Sequence, residues 1–151
     1  MSLPTQFDGN YENIRIYHYV EELVADYKEH LVKSLDATEI SYSEVPILIR
    51  IRFLENTTQK DLTKLFKVSK GYIARLLRKF EDEGLITREE HPDNHRIKVV
   101  KLTAKGYEVT DKLVNLVDQW EFKVTKSFSE EETKPLKKLL YNLVVNKLYS
   151  G

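Results

Sequence analysis

Between Ser69 and Asp82 runs a segment whose two sides are chemically opposite, and that contrast restricts what the chain can become. Ile73, Leu76, Leu77 and Phe80 recur at helical spacing and define one apolar face. The positions left for the other side are Lys70, Gly71, Tyr72, Ala74, Arg75, Arg78 and Lys79, four of them cationic and none acidic. Acidic residues gather only afterwards, at Glu81-Asp82-Glu83. Ser69 is placed to cap this helix and Gly84 to stop it.

The neighbouring segments narrow the fold. Thr58 caps a brief preceding helix with Leu62, Leu65 and Phe66, and Lys67-Val68 turns the chain. Leu85 to Arg88, a turn near Pro92-Asp93-Asn94-His95, and Arg96 to Leu102 predict a β-hairpin, the second run favoured by Ile97, Val99 and Val100. Two short helices, a tight turn and a hairpin in that order describe a winged helix-turn-helix. On one side lies a helix over about residues 10–36, with Ile16, Val20, Leu23, Tyr27 and Leu31 as its inward stripe, widened by Val24. Ser41, with Glu44 as capping-box partner, opens a second to about Leu54, mostly buried through Val45, Leu48, Ile49, Arg52 and Phe53. On the other side Thr103 opens a long helix to about Lys126, with Leu113, Leu116, Val117, Trp120 and Val124 inward. Ser129 with Glu132 opens the last, which carries Leu136, Leu139, Leu140, Leu143, Val144 and Leu148. Pro135 lies several residues past that cap, so this helix either kinks there or starts later. The expected fold is mainly α with a small β-hairpin wing (α+β). Residues 1–40, 41–103 and 104–151 are its N-terminal helix, winged lobe and C-terminal helices, within one structural unit.

Composition excludes several classes. With no Cys among 151 residues there is no disulfide framework, thiolate zinc site or Cys nucleophile, which fits a reducing cytoplasm. Residues 1–13 lack a basic start followed by an apolar run, so no secretory signal is expected, and no apolar stretch is long enough to span a membrane. No nucleophile-elbow, zinc-protease, P-loop or Gly-rich dinucleotide motif is present, so neither an enzyme nor a cofactor is expected. His91 and His95 belong to no zinc-spaced cluster. The net charge is zero, but its distribution is not even. Residues 1–56 carry 5 Lys+Arg against 10 Asp+Glu, residues 57–105 carry 12 against 7, and residues 106–151 carry 7 against 7. A basic middle between acidic and neutral flanks is the footprint of a localised contact with a polyanion.

Double-stranded DNA is the partner that suits this pattern. A helix entering the major groove presents its N-terminal residues to base edges, and here these are Lys70, Gly71, Tyr72, Ala74 and Arg75, the last able to contact guanine through two hydrogen bonds. Arg78 and Lys79 follow as backbone contacts. Gly71 reads either as close approach to a nucleic-acid backbone or as a glycine tolerated in a frayed first turn. Ser69 and Thr58 cap their helices and, with Gln59 and Lys60, either do only that or also touch phosphate. At the hairpin tip Arg96, flanked by His95 and Lys98, reaches for a minor groove or is simply solvated.

From Thr58 through Gly106 the chain resembles the MarR family of regulators. The matching residues are Ser69, Ile73-Ala74-Arg75, Leu77, Phe80-Glu81, Gly84-Leu85-Ile86, Arg88, Asn94-His95-Arg96, and Leu102-Thr103 with Gly106. Two positions depart from the family pattern. Asn94 stands where Asp usually orients the wing arginine, and Asn accepts a weaker bond. Ala74 stands where a hydroxylated residue is usual.

The resemblance implies a homodimer held by the first helix and the last two, with two recognition helices in successive major grooves of a pseudo-palindromic operator, most often for repression. An intramolecular helical bundle is the other use for those apolar stripes. The resemblance further implies release from DNA by a small aromatic anion, for which Arg15, Tyr17, His18 and Trp120 supply a cation and aromatic rings. A winged-helix module that binds protein without specific DNA binding is the alternative reading.

Overall fold

The computed structural model describes residues 10–149, so the reading of residues 1–9 and the outer ends of segments 1–40 and 104–151 lie outside the described residues. Six α-helices and one two-stranded hairpin follow in the order α1 (Ile16–Leu35), α2 (Val45–Phe53), α3 (Gln59–Phe66), α4 (Lys70–Asp82), β1 (Ile86–His91), β2 (Asn94–Leu102), α5 (Ala104–Val124) and α6 (Glu130–Tyr149). The mainly helical class with a β-hairpin wing is therefore as expected. The chain divides into two compact units, at Val117/Asp118 within α5.

The first unit is organised around one apolar core. Leu31 and Leu35 of α1, Val45, Ile47, Leu48 and Ile51 of α2, Leu62 of α3, and Ile73, Leu77 and Phe80 of α4 are buried together with Leu85, Ile86, Val100 and Leu113. The inward stripe expected along all of α1 holds only in its last turns, because Ile16, Val20, Leu23 and Val24 are exposed. In α2 the buried side is Val45, Ile47, Leu48 and Ile51, and Phe53, expected inside, is 63% exposed. The helix ends at Phe53 with Leu54 extended. Arg52 instead reaches α5, donating to the Tyr107 carbonyl (3.0 Å) and the Thr110 hydroxyl (2.9 Å) and pairing with Asp111 (2.6 Å). Leu65 of α3 is likewise exposed.

Local signals set the helix boundaries. A 3-10 turn, Tyr42–Glu44, leads into α2, and the Ser41 N–H and hydroxyl both donate to Glu44 Oε1 (3.2 and 2.8 Å). Thr58 and Asp61 form a reciprocal capping box at α3. Lys67 takes the left-handed conformation (φ 53°) between α3 and α4, and Ser69 Oγ accepts from the Tyr72 N–H (3.1 Å). Gly84, at φ 73°, turns the chain from α4 into the hairpin.

The strands pair antiparallel with Ile86 opposite Leu102, Arg88 opposite Val100 and Glu90 opposite Lys98. The turn is shorter than expected, since β2 resumes at Asn94. The sequence also hid a link from the hairpin to α3. Thr58 bridges Val99, and the Val100 N–H donates to the Thr57 carbonyl (2.7 Å).

At the base of the hairpin, Thr103 Oγ1 donates to the Gly84 carbonyl (2.6 Å) and accepts from the Gly106 N–H (3.0 Å), which clasps the start of α5. Gly106 packs against the Leu85 carbonyl so closely that a Cβ there overlaps it.

In the second unit, Ser129 and Glu132 form the expected capping box, and α6 begins at that cap and runs through Pro135. No α6 residue is buried, and Leu139, Leu140, Leu143, Val144 and Leu148 are exposed.

Gly106→Ala is expected to lower unfolding stability by about 1–3 kcal/mol through overpacking against main chain. Gly71→Ala, whose Cβ meets nothing within 4 Å, is expected to raise it by up to about 1 kcal/mol through helix propensity. Urea titrations of the two variants beside the parent check both signs.

Candidate nucleic-acid interface

The buried face of α4 determines which of its residues reach the surface. With Ile73, Leu77 and Phe80 fully buried, Lys70, Gly71, Arg75 and Arg78 are exposed, while Tyr72 and Ala74 are half-buried. The Arg75 guanidinium lies 5.7 Å from the Tyr72 ring centroid, an arrangement that steadies a long cation without neutralising it. Ser69 caps the Tyr72 amide at the start of α4, where Lys70 and Gly71 are exposed.

Lys79 does not join these cations. It sits on the expected outward stripe, but its ammonium is engaged by acceptors from the start of α2 and the segment before it. There it donates to both carboxylate oxygens of Glu44 (2.9 and 2.8 Å) and to the Glu39 carbonyl (3.2 Å), with Glu83 at 3.8 Å. Lys79, expected among the groove-facing cations, is thus held in an ion pair with Glu44. Glu44 is 5% exposed, and a buried carboxylate requires such a partner. Burial alone pushes the Glu44 carboxyl up, but hydrogen bonds from Lys79 and Ser41 outweigh it and hold the group below its ordinary value. The hydrogen bond to Glu44 raises Lys79 in turn, against the opposing effect of burial.

Elements distant in sequence meet around α4. Thr58, Gln59 and Lys60 line a trough with Arg96 and Lys98 of β2, and Arg88 and His91 of β1 complete its rim. A second depression joins Gln59, Lys60, Thr63 and Lys64 of α3 to Lys70 of α4. Sequence reasoning passed over Lys64, although it lies four residues after Lys60 and so on the same helix face. It also gave no role to Arg88, which lies 3.1 Å from Glu81 and reaches Gln59 Oε1 at 3.4 Å.

At the wing tip Asn94 Oδ1 accepts from the Arg96 main-chain N–H (3.1 Å), so this side chain shapes the backbone under Arg96. His95 pairs with Glu90 across the hairpin (2.8 Å). Arg96 and Lys98 are exposed.

The residues expected to meet a small ligand fall in both units. Arg15 precedes α1 and is exposed, Tyr17 and His18 stack on each other (ring centroids 4.2 Å apart), and Trp120 belongs to the second unit. A cavity of about 750 Å³ in the first unit has other walls, including Leu35, Ile40, Leu85, Val109, Lys112 and Leu116. Among the described residues no group of His, Asp or Glu is arranged to hold a metal ion, and no helix is long and apolar enough to cross a membrane.

Comparison with known proteins places this architecture. The model of the MarR family matches residues 40–98. The HTH-type transcriptional regulator SarZ of Staphylococcus saprophyticus is 30% identical over 126 residues, which cover 82% of this chain and 81% of the relative. A crystal structure of MarR superposes with a TM-score of 0.78 at 24% identity, covering 98% of this chain and 96% of that one. A crystal structure of a MepR–DNA complex from S. aureus gives 0.71 at 20% identity over 89% and 99%.

The Glu44–Lys79 pair makes stability depend on pH at both ends. A lowered carboxyl pKa gives stability that is present above the ordinary value of 4.5 and lost as pH falls through the lowered one. A raised ammonium pKa gives stability that is present below 10.5 and lost as pH rises through the raised one. Glu44→Gln is expected to reduce stability at pH 7 by about 1–2 kcal/mol, allowing for the partial exposure of Lys79. Urea midpoints measured from pH 2 to 8 should show the difference from the parent shrinking towards the acid end.

Proposed function

The chain belongs to the MarR family of transcription regulators, which are not enzymes, and on that premise we propose that it reads a specific sequence in double-stranded DNA as a homodimer on a pseudo-palindromic operator, acting as a repressor. The observation that carries this reading is the exposed cationic side of α4, where Lys70, Arg75 and Arg78 stand opposite the fully buried Ile73, Leu77 and Phe80. Residues 41–103 form the DNA-binding lobe. Residues 1–40 and 104–151 supply the dimer contacts, in keeping with the exposed apolar residues of α1 and of α6. We place the protein in the cytoplasm, with access to its operator.

The roles divide by position. Lys70, Gly71, Tyr72, Ala74 and Arg75 lie at the groove end of α4 and read base edges. Ser69, Thr58, Gln59, Lys60 and Arg78 fix the backbone register. Arg96 and Lys98, with His95 beside them, serve the flanking minor groove.

A small aromatic anion is the effector in this reading. The cavity of about 750 Å³ is its site in this reading, with apolar walls for the ring and the cations Lys105 and Lys112 beside the acids Glu39, Asp82 and Glu83. Calorimetry with aromatic carboxylates at millimolar concentration tests that assignment, and absence of heat at the parent together with no effect of Lys112→Ala removes it.

Selection from a random duplex pool, followed by a salt titration of the recovered sequence, tests the main proposal. Binding that is undetectable or independent of salt favours a protein-binding module instead. Arg75→Ala is expected to weaken the selected duplex by about 1–3 kcal/mol and to relax preference at one base position, as read by repeating the selection with the variant.

A further inference from the structure

We infer that Lys79 and Glu44 form a latch between α4 and the start of α2 that sets the angle at which α4 is offered to DNA, so that Lys79 is a positioning residue and not a phosphate contact. The inference rests on the DNA-reading proposal above.

Lys79 lies four residues after Arg75 and therefore on the same helical stripe. Its ammonium nevertheless donates to two carboxylate oxygens and a main-chain carbonyl of the preceding segments, all at 2.8–3.2 Å. Those acceptors occupy its donors. Moving the ammonium to a phosphate leaves the Glu44 carboxylate buried without its cation, which opposes the move. The same Glu44 oxygen accepts from the Ser41 N–H and hydroxyl, so the group receiving Lys79 is fixed by the turn that opens α2. Glu83 and Glu39, the other acids that act on the ammonium, strengthen its hold in this position.

The geometric consequence falls on the opposite end of α4. The helix has 13 residues and is about 20 Å long. A tilt of about 10° at its C-terminal end carries the N-terminal residues by about 3 Å. That displacement exceeds what a direct base hydrogen bond tolerates. Ile73, Leu77 and Phe80 hold the helix to the core, but apolar contacts are non-directional. The bond between Lys79 and Glu44 is directional, and it acts where the lever is longest.

Charge and position make opposite predictions for Glu44→Gln, which removes a negative charge. If only electrostatics matter, this variant binds DNA more tightly. The latch requires weaker binding to the selected sequence, by about tenfold, the equivalent of one base contact. The experiment uses the full chain and its Lys79→Met, Lys79→Arg and Glu44→Gln variants, each shown folded by a urea titration. Affinities are measured for the selected duplex and for a random 30-base-pair duplex over a range of salt.

The expected result is a fall of about tenfold in the selected-to-random ratio for Lys79→Met and Glu44→Gln, with the salt slope unchanged and Lys79→Arg restoring the ratio. A slope reduced by about one in Lys79→Met, with both duplexes weakened equally, assigns Lys79 to a phosphate and overturns the latch. An unchanged or increased ratio in Glu44→Gln overturns it as well. Amide exchange of residues 78–83 without DNA separates this failure from that of the parent proposal. Faster exchange there in Lys79→Met supports the latch even if the parent binds no duplex, and unchanged exchange refutes it.

Discussion

Burial of Ile73, Leu77 and Phe80 decides most of what the first unit can do. These three side chains on α4 leave no solvent-accessible surface, and α2, α3, β1 and β2 contribute the groups around them. Fixing the inward side of a helix fixes its outward side with it, since successive residues are separated by a constant angle. Lys70, Arg75 and Arg78 are thus displayed by the packing beneath them.

The wing is positioned by a different sort of interaction. A two-stranded hairpin alone is marginal in water. Here its second strand is tied along the Thr57-Thr58 main chain, and its base is clasped by Thr103, Gly84 and Gly106. These bonds bring Arg96 and Lys98 into one trough with Gln59 and Lys60, residues roughly forty positions earlier. The cationic surface therefore spans three elements, and the chain's uneven charge becomes a compact patch.

Charge placement also has a structural side. Lys79 and Arg52 are cations that the fold uses internally, one against Glu44 and the other against Asp111 and the α5 main chain. Each joins α2 to another helix, α4 in the first case and α5 in the second. The first contact thus closes α4 onto the start of α2 within residues 41–103, and the second ties α2 to the start of α5. Apolar packing supplies the bulk of the stabilisation, and these directional bonds select one arrangement of the packed elements.

The sequence by itself determined the elements, their order and the family, because capping residues, apolar spacing and turn glycines act over a few neighbouring positions. Ser69, Thr58, Gly84 and the Ser129–Glu132 pair are of this kind, and so is the amphipathic pattern of α4. Tertiary structure alone decided which apolar residues find a partner and which charges stay free. Phe53 and the front half of α1 read as core by spacing, yet the core does not extend to them. Lys79 reads as a surface cation, and only the approach of Glu44 from thirty-five positions away turns it inward. Helical periodicity records the side of the helix a residue occupies. What lies opposite that side is set by contacts between distant parts of the chain, which no local pattern encodes.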